Sequence, residues 1–145
     1  MLHALRICLA ILGVSAIAIA LSIMILGAGA TASLAESAFD AVSGWHGPPS
    51  GRWPATMDSE LRFYAALWGA YGIIVLRAAS GLPRTLPWAP WIAAVFFAGG
   101  LGRVLSRVRV GPPHPFFTLL MTLELTLPLS IAGLWLGGRS QARRG

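Results

Sequence analysis

Four long stretches of apolar residues alternate along the chain with shorter polar or proline-rich segments. The stretches predict helices over residues 7–30, 61–79, 88–107 and 116–137. At a rise of about 1.5 Å per residue, about 20 residues cross the ~30 Å hydrocarbon core of a bilayer. The pattern therefore predicts an all-α integral membrane protein whose residues 1–145 form a single membrane domain.

The connections between the stretches predict how these helices are arranged. Residues 81–83 read Gly-Leu-Pro, and residues 111–115 read Gly-Pro-Pro-His-Pro, so both segments end a helix and start a short turn. Because short turns join sequential neighbours, we predict an antiparallel four-helix bundle. Residues 31–60 are predicted to form a longer outer loop with at most one or two helical turns.

Composition agrees with a membrane protein and argues against a nucleic-acid-binding module. Hydrophobic residues make up 56% of the chain and charged residues only 11%, far below the roughly 25% charged residues of soluble domains. All eleven basic residues are arginines, and they lie scattered at the ends of apolar stretches instead of on one basic face. We therefore expect membrane lipids as partners and no nucleic acid.

The distribution of arginines predicts the orientation in the membrane. With the N-terminus in the cytoplasm, the inner side carries Arg6, Arg77, Arg84, Arg139, Arg143 and Arg144, and the outer loops carry Arg52, Arg107 and Arg109. Because basic residues favour cytoplasmic loops, this count predicts a multi-pass protein of the cytoplasmic (inner) membrane with both termini cytoplasmic. The first stretch is longer than the apolar region of a usual signal peptide, so we expect a retained helix; cleavage after Ala32 or Ala35 is the alternative.

Small residues recur at helical spacing and predict faces on which helices pack closely. Ala94, Ala98 and Gly102 form one such series in the third stretch, and Ala65 with Gly69 forms another in the second. In lipid, close approach of helix backbones at small residues contributes much of the association between helices.

Ionisable residues inside or at the edges of the apolar stretches are the most informative feature of the sequence. They are Asp58, Glu60, Arg62 and Tyr64 at the start of the second stretch, Arg103 and Arg107 at the end of the third, and Glu124 within the fourth. A charge at mid-membrane costs about 2.5–3.5 kcal/mol on insertion scales, so each deep charge should face a partner or a wet cavity.

Depth within the membrane predicts that Arg103 and Glu124 are partners. Arg103 lies roughly 10 Å below Val110, and Glu124 lies roughly 12 Å below Phe116, at the ends joined by the tight turn. The two side chains can therefore pair across the third and fourth helices, with Arg107 one turn nearer the surface.

We predict a polar pocket in the outer half of the bundle around this pair. Pro128 cannot donate a hydrogen bond to the carbonyl of Glu124, so a helix kink is expected there. The pocket is predicted to open outward and to be closed below by Trp68 and Tyr71. A structural lock between helices and a site for a ligand or proton both remain open as roles for the charged pair.

No motif of metal binding or catalysis is evident. His3, His46 and His114 lie in a terminus and two loops, without the paired spacing of metal ligands. We therefore expect no metal site, no cofactor and no catalytic residue, and we expect that the protein is not an enzyme.

Three segments carry a resemblance to a known family. They are Asp-Ser-Glu-Leu-Arg-Phe-Tyr at residues 58–64, Gly-Gly-Leu-Gly-Arg-Val-Leu-Ser at residues 99–106, and Glu124-Leu-x-x-Pro128. Together they resemble the bacterial membrane family of domain of unknown function 4345 (DUF4345), four-helix proteins similar to the DoxX-like group. The resemblance implies the architecture and a single constellation of Arg62, Arg103 and Glu124, but it implies no ligand.

The leading functional hypothesis is a non-enzymatic protein that binds a lipid, quinone or similar amphiphile, or serves as an accessory subunit in a homo-oligomer or a membrane complex. Arg103 would hold an anionic or carbonyl group, Glu124 would orient Arg103, and Arg62 would guard the entrance. The alternatives are a small proton-coupled transporter that uses Glu124 and a membrane-embedded enzyme that acts on a lipid.

Overall fold

The computed structural model describes residues 1–50 and 53–142, and helices dominate both ranges. The helices are α1 (Leu2–Leu26), α2 (Ala28–Ser43), α3 (Ala55–Ser80), α4 (Ala89–Val110) and α5 (Pro115–Ala142), with a single 3₁₀ turn at Leu86–Trp88. The described ranges contain no strand. Arg52, Arg143 and Arg144, which entered the orientation count, lie outside the described residues.

Four helices are long and apolar enough to cross a membrane. These spans are Leu2–Leu26, Ala55–Ser80, Leu86–Val110 and Pro115–Ser140. The predicted all-α fold with four candidate spans is confirmed, and it supports a multi-pass membrane protein.

The segment predicted as an outer loop, residues 31–60, is largely helical. α1 ends at Leu26, four residues earlier than predicted, and the 16 residues of α2 follow directly. Gly27 separates the two helices with a φ of 91°, a backbone conformation that glycine adopts without steric cost. The chain therefore changes direction within its first apolar stretch, and α2 becomes a fifth helix beside the four spans.

α1 and α3 pack with their backbones in close approach. A Cβ atom placed on Gly72 would lie 2.9 Å from the carbonyl oxygen of Gly13 and 3.1 Å from the backbone nitrogen of Ile17. Real Cβ atoms essentially never approach a backbone oxygen as closely as 2.9 Å, so this crossing requires glycine at position 72. α4 and α5 also approach closely at Gly100, where an added Cβ would lie 3.1 Å from the carbonyl carbon of Glu124, a tight contact.

The small-residue series predicted as the packing face of α4 is exposed instead. Ala94, Ala98 and Gly102 all face outward, whereas Phe96 and Gly100 are buried. Phe96, Gly100 and Arg103 share one helical face by their spacing of four and three residues. Because this face directs Arg103 toward Glu124, the small residues on the opposite face of α4 are exposed on the surface of the bundle.

A core of buried side chains lies at the end of the bundle that contains the N-terminus. Leu5 and Leu9 of α1, Val75 of α3 and Ile131 of α5 are the largest fully buried side chains. Toward the other end, α1 and α5 do not fill the space between them. The cavity described next lies in that space.

Candidate functional site

A cavity of about 620 Å³ lies between α1 and α5 and is also bounded by α2, α3 and α4. Its described lining residues are Ile11, Leu12, Ser15, Ala16, Ile19, Ile23, Ala28, Thr31, Ala32, Ala35, Trp53, Leu61, Trp68, Phe96, Arg103, Phe116, Phe117, Leu120, Leu123, Glu124 and Leu127. Most are aliphatic or aromatic, and Arg103 and Glu124 are the ionisable residues among them. This combination of an apolar wall and few polar groups is typical of sites for small molecules.

The structure brings together Arg103 and Glu124. Nε of Arg103 donates a hydrogen bond to Oε2 of Glu124 at 2.7 Å. Glu124 is only 8% exposed. The glycine at position 99 leaves space beside this carboxylate, since a Cβ there would lie 3.9 Å from Oε2. The sequence thus places a charge-assisted hydrogen bond between α4 and α5, facing the cavity.

Both side chains of this pair have hydrogen-bonding groups that no described residue uses. Among the described residues, no group hydrogen-bonds to the two terminal nitrogens of Arg103 or to Oε1 of Glu124. The guanidinium carbon of Arg103 lies 5.8 Å from the ring centroid of Phe117, within cation–π distance. The pair therefore offers N–H donors and a carboxylate acceptor to a cavity occupant.

Stacked aromatic rings close the cavity on the side of the packed core. The ring of Trp68 stacks on Tyr71 at 5.0 Å and on Phe96 at 6.1 Å, with interplanar angles of 17° and 18°. The hydroxyl of Tyr71 donates a hydrogen bond to the carbonyl oxygen of Ile92 at 2.8 Å. Trp68 lines the cavity and Tyr71 lies behind it, so the two residues predicted to close the pocket form one rigid floor.

The exposure of the lining residues indicates where the cavity is accessible. Ala28 and Ala32 of α2 lie over the end opposite the aromatic floor. The lining residues Ile11 and Ile19 of α1 and Leu123 of α5 are 63%, 41% and 46% exposed, which indicates a side opening between these two helices. The opening toward the outer side stays a prediction; it was made with residues 31–60 taken as a loop, whereas α2 is a helix that lines this end of the cavity. In a bilayer, an opening between two spans faces acyl chains.

Asp58 and Arg62 form a separate pair at the junction of α1 and α2. Nε of Arg62 donates to Oδ2 of Asp58 at 2.8 Å, and its Nη1 donates to the carbonyl oxygen of Met24 near the end of α1. Oδ1 of Asp58 accepts from the backbone nitrogen of Ala28 at 2.8 Å. The pair therefore satisfies the last turn of one helix and the first turn of the next.

The predicted single constellation is thus divided. Arg62 pairs at the helix junction and does not line the cavity, so the structure does not place it at an entrance. Arg107 is exposed and donates to Oγ1 of Thr118 at 3.0 Å. Glu60 and Tyr64 are exposed, and neither lines the cavity.

Pro128 lies inside α5, which continues as a helix on both sides of it. The kink stays a prediction.

Within the described residues, no group of three His, Cys, Asp or Glu side chains is placed to hold a metal ion.

A second polar cluster, which the sequence analysis did not find, attaches α2 to its surroundings. Glu36 is 2% exposed and accepts hydrogen bonds from the backbone nitrogen and the hydroxyl of Ser50. Nε2 of His114 lies 3.4 Å from Oδ1 of Asp40, and Nδ1 of His114 accepts from the backbone nitrogen of Phe116 at 3.2 Å. The spacing of the two acids, i and i+4, is the signal that could have indicated a helix with one polar face.

Replacing Asp58 by alanine is expected to loosen the junction of α1 and α2. The change removes the acceptor of the Ala28 N–H and leaves Arg62 without its carboxylate. Loss of such a helix cap costs about 1 kcal/mol. A thermal unfolding curve of the detergent-solubilised protein measures the loss, with the exposed neighbour Ser59→Ala as control. An Asp58→Ala variant as stable as this control would contradict the capping role.

The chain matches a known protein family. Residues 4–136 match the family model described as domain of unknown function (DUF4345), and this region includes every described residue that lines the cavity. No curated protein and no solved structure matches the chain. The bacterial origin and the similarity to the DoxX-like group stay predictions.

Proposed function

Because the chain belongs to the DUF4345 family, whose description names no activity, we propose its function from the cavity: it binds a membrane amphiphile, such as a lipid or a quinone. The head of this amphiphile contacts the Arg103–Glu124 pair, and its tail extends between α1 and α5 into the bilayer. The observation that carries the proposal is the unused hydrogen-bonding capacity of this pair inside an apolar cavity that opens to the side.

The size and lining of the cavity support this function. Its volume of about 620 Å³ lies within the roughly 300–1,000 Å³ of typical ligand sites. Apolar walls with few polar groups select a molecule that is mostly hydrocarbon with one polar end. A side opening lets such a molecule enter without leaving the membrane.

The proposal includes a topology in which the spans alternate in direction and both termini are in the cytoplasm. In support, Arg6 near the start of α1 donates a hydrogen bond to the carbonyl oxygen of Leu82 just after α3. Asp58 near the start of α3 accepts a hydrogen bond from the backbone nitrogen of Ala28 just after α1. These two contacts are those expected of helices that run in opposite directions. α1 supplies one wall of the cavity, so its retention is part of the proposal. The excess of arginines on the proposed inner side supports the orientation with both termini in the cytoplasm, and the cytoplasmic membrane as location is part of the proposal.

The alternatives receive less support from the geometry. Protonation of Glu124 would break its ion pair and leave the Arg103 guanidinium unpaired at membrane depth, which weighs against a proton-cycling transporter. An enzyme would need a second catalytic group. Among the described lining residues with hydroxyls, Thr31 hydrogen-bonds to Ser22 and to the carbonyl oxygen of Gly27, and Ser15 has no hydrogen bond to a base.

Ligand retention in a Glu124→Gln variant tests the proposal. The variant is expected to lose at least about tenfold in occupancy, because a charge-assisted hydrogen bond contributes about 1.5–3 kcal/mol. The measurement is native mass spectrometry of protein released from nanodiscs that contain lipid of the expression host. The wild type is expected to carry one small molecule per chain.

Glu60→Gln is the matched control, since it makes the same chemical change at an exposed position outside the cavity. It is expected to retain the ligand like the wild type. Equal retention in Glu124→Gln, or a wild type that is released bare, would contradict the proposed function; the bare result would direct attention to a role as an accessory subunit.

A further inference from the structure

We infer that the head of the bound amphiphile is uncharged and carries both an acceptor oxygen and a hydroxyl, as in a glycerol ester, and that this molecule enters sideways from the bilayer. The inference rests on the proposed binding function and specifies its ligand class. Three features of the cavity carry it: the charge balance, the leftover hydrogen-bonding groups and the position of the opening.

The charge balance of the cavity disfavours a charged head. Arg103 and Glu124 are the ionisable residues of the described lining, and their ion pair at 2.7 Å has no net charge. A carboxylate or phosphate head would add a negative charge between aromatic and aliphatic walls without a cation to balance it. Burial of a charge without a partner is strongly unfavourable, and the same argument applies to an ammonium head.

The leftover hydrogen-bonding groups require a head that both accepts and donates. The terminal nitrogens of Arg103 present N–H donors, and Oε1 of Glu124 presents an acceptor. These groups are adjacent because Nε of Arg103 is hydrogen-bonded to Oε2 of Glu124. A carbonyl or ether oxygen of the head can accept from the terminal nitrogens of Arg103, and a hydroxyl can donate to Oε1 of Glu124. A head with acceptors alone would leave the carboxylate oxygen unpaired, which costs about 1–3 kcal/mol.

The opening identifies the bilayer as the source of the ligand. α2 covers one end of the cavity with Ala28 and Ala32, and the Trp68 stack closes the other. Ser15 of α1 is exposed and lines the cavity at its side opening. A lipid can therefore insert its head between α1 and α5 while its acyl chain stays among neighbouring lipids.

A series of probes with the same 18-carbon unsaturated chain and different heads tests the ligand class. The probes are 1-oleoylglycerol, oleic acid, oleylamine and methyl oleate, titrated into the delipidated full chain in detergent and counted by native mass spectrometry. We expect 1-oleoylglycerol to bind at least about tenfold more tightly than each of the others, which corresponds to about 1.4 kcal/mol.

The side entrance is tested with a bulky residue at its edge. Ser15→Trp should reduce binding of 1-oleoylglycerol by at least about tenfold, because the indole fills the opening. Val14→Trp is the control, since Val14 is exposed on α1 but does not line the cavity. Equal binding by these two variants would overturn the side entrance.

The outcomes separate the ligand class from the binding function. Tighter binding of oleic acid that depends on Glu124 would overturn the uncharged head and leave the binding function in place. Equal binding of all four probes, or binding of none, would also overturn the ligand class. The host-lipid experiment with Glu124→Gln and Glu60→Gln decides the binding function independently of these probes.

Discussion

An Arg103→Leu variant is expected to be less stable than the wild type by about 3 kcal/mol. The change removes the partner of Glu124, which is only 8% exposed, and leaves a carboxylate alone at membrane depth. An unpaired charge there costs about 2.5–3.5 kcal/mol. The measurement is a denaturant unfolding titration in bicelles, with Arg109→Leu as the control because Arg109 is exposed at the end of α4.

The double variant Arg103→Leu/Glu124→Leu separates a structural lock from a binding site. Replacing both members of a buried ion pair by apolar residues is often neutral for stability, and in this pair the Glu124 side chain is 11% exposed and the Arg103 side chain 37% exposed. We therefore expect the double variant to regain most of the stability that the single variant loses, without regaining the ligand. An Arg103→Leu variant as stable as Arg109→Leu would show that the pair is not a stabilising contact, and ligand binding by the double variant would show that the head binds elsewhere.

A Gly72→Ala variant is expected to lose about 1–3 kcal/mol of unfolding free energy, the usual cost of overpacking. The added methyl group would meet Cγ1 of Ile17 at 2.7 Å and the carbonyl oxygen of Gly13 at 2.9 Å. The side chain can adjust but the carbonyl cannot, so α1 and α3 must move apart.

Gly102→Ala is the matched control for this glycine, because nothing lies within 4 Å of a Cβ placed on Gly102. Alanine favours helix over glycine by up to about 1 kcal/mol, so this control should be as stable as the wild type or more stable. Equal unfolding midpoints for Gly72→Ala and Gly102→Ala would contradict the close crossing of α1 and α3.

Long apolar stretches made the four candidate spans predictable, whereas α2 was not. The segment Ala28–Ser43 is rich in alanine, serine and glycine, and its sequence shows neither a long apolar run nor a clear helix start. Its N-terminus is capped by Asp58, 30 residues later in the chain. A cap supplied from a distant helix leaves no local signal, so the break at Gly27 is invisible within the first apolar stretch.

The Arg103–Glu124 pair was predictable because matched depth on two helices joined by a tight turn leaves few other partners. The partner of Arg62 was not predicted, because depth alone does not distinguish among the charges near this end of the bundle. Asp58 lies one helical turn before Arg62 on the same face and is its nearest carboxylate. The partner of Arg62 is therefore set by the four-residue spacing along α3 and not by its depth in the membrane.

The most direct test of the account is native mass spectrometry of the wild type and the Arg103→Leu/Glu124→Leu variant, both extracted from host membranes in polymer-bounded lipid discs without detergent. The two proteins should have similar stability, so a difference in bound mass reports on the site alone. We expect one small molecule per chain on the wild type and none on the double variant. Identical spectra from the two proteins would contradict a ligand site at Arg103 and Glu124.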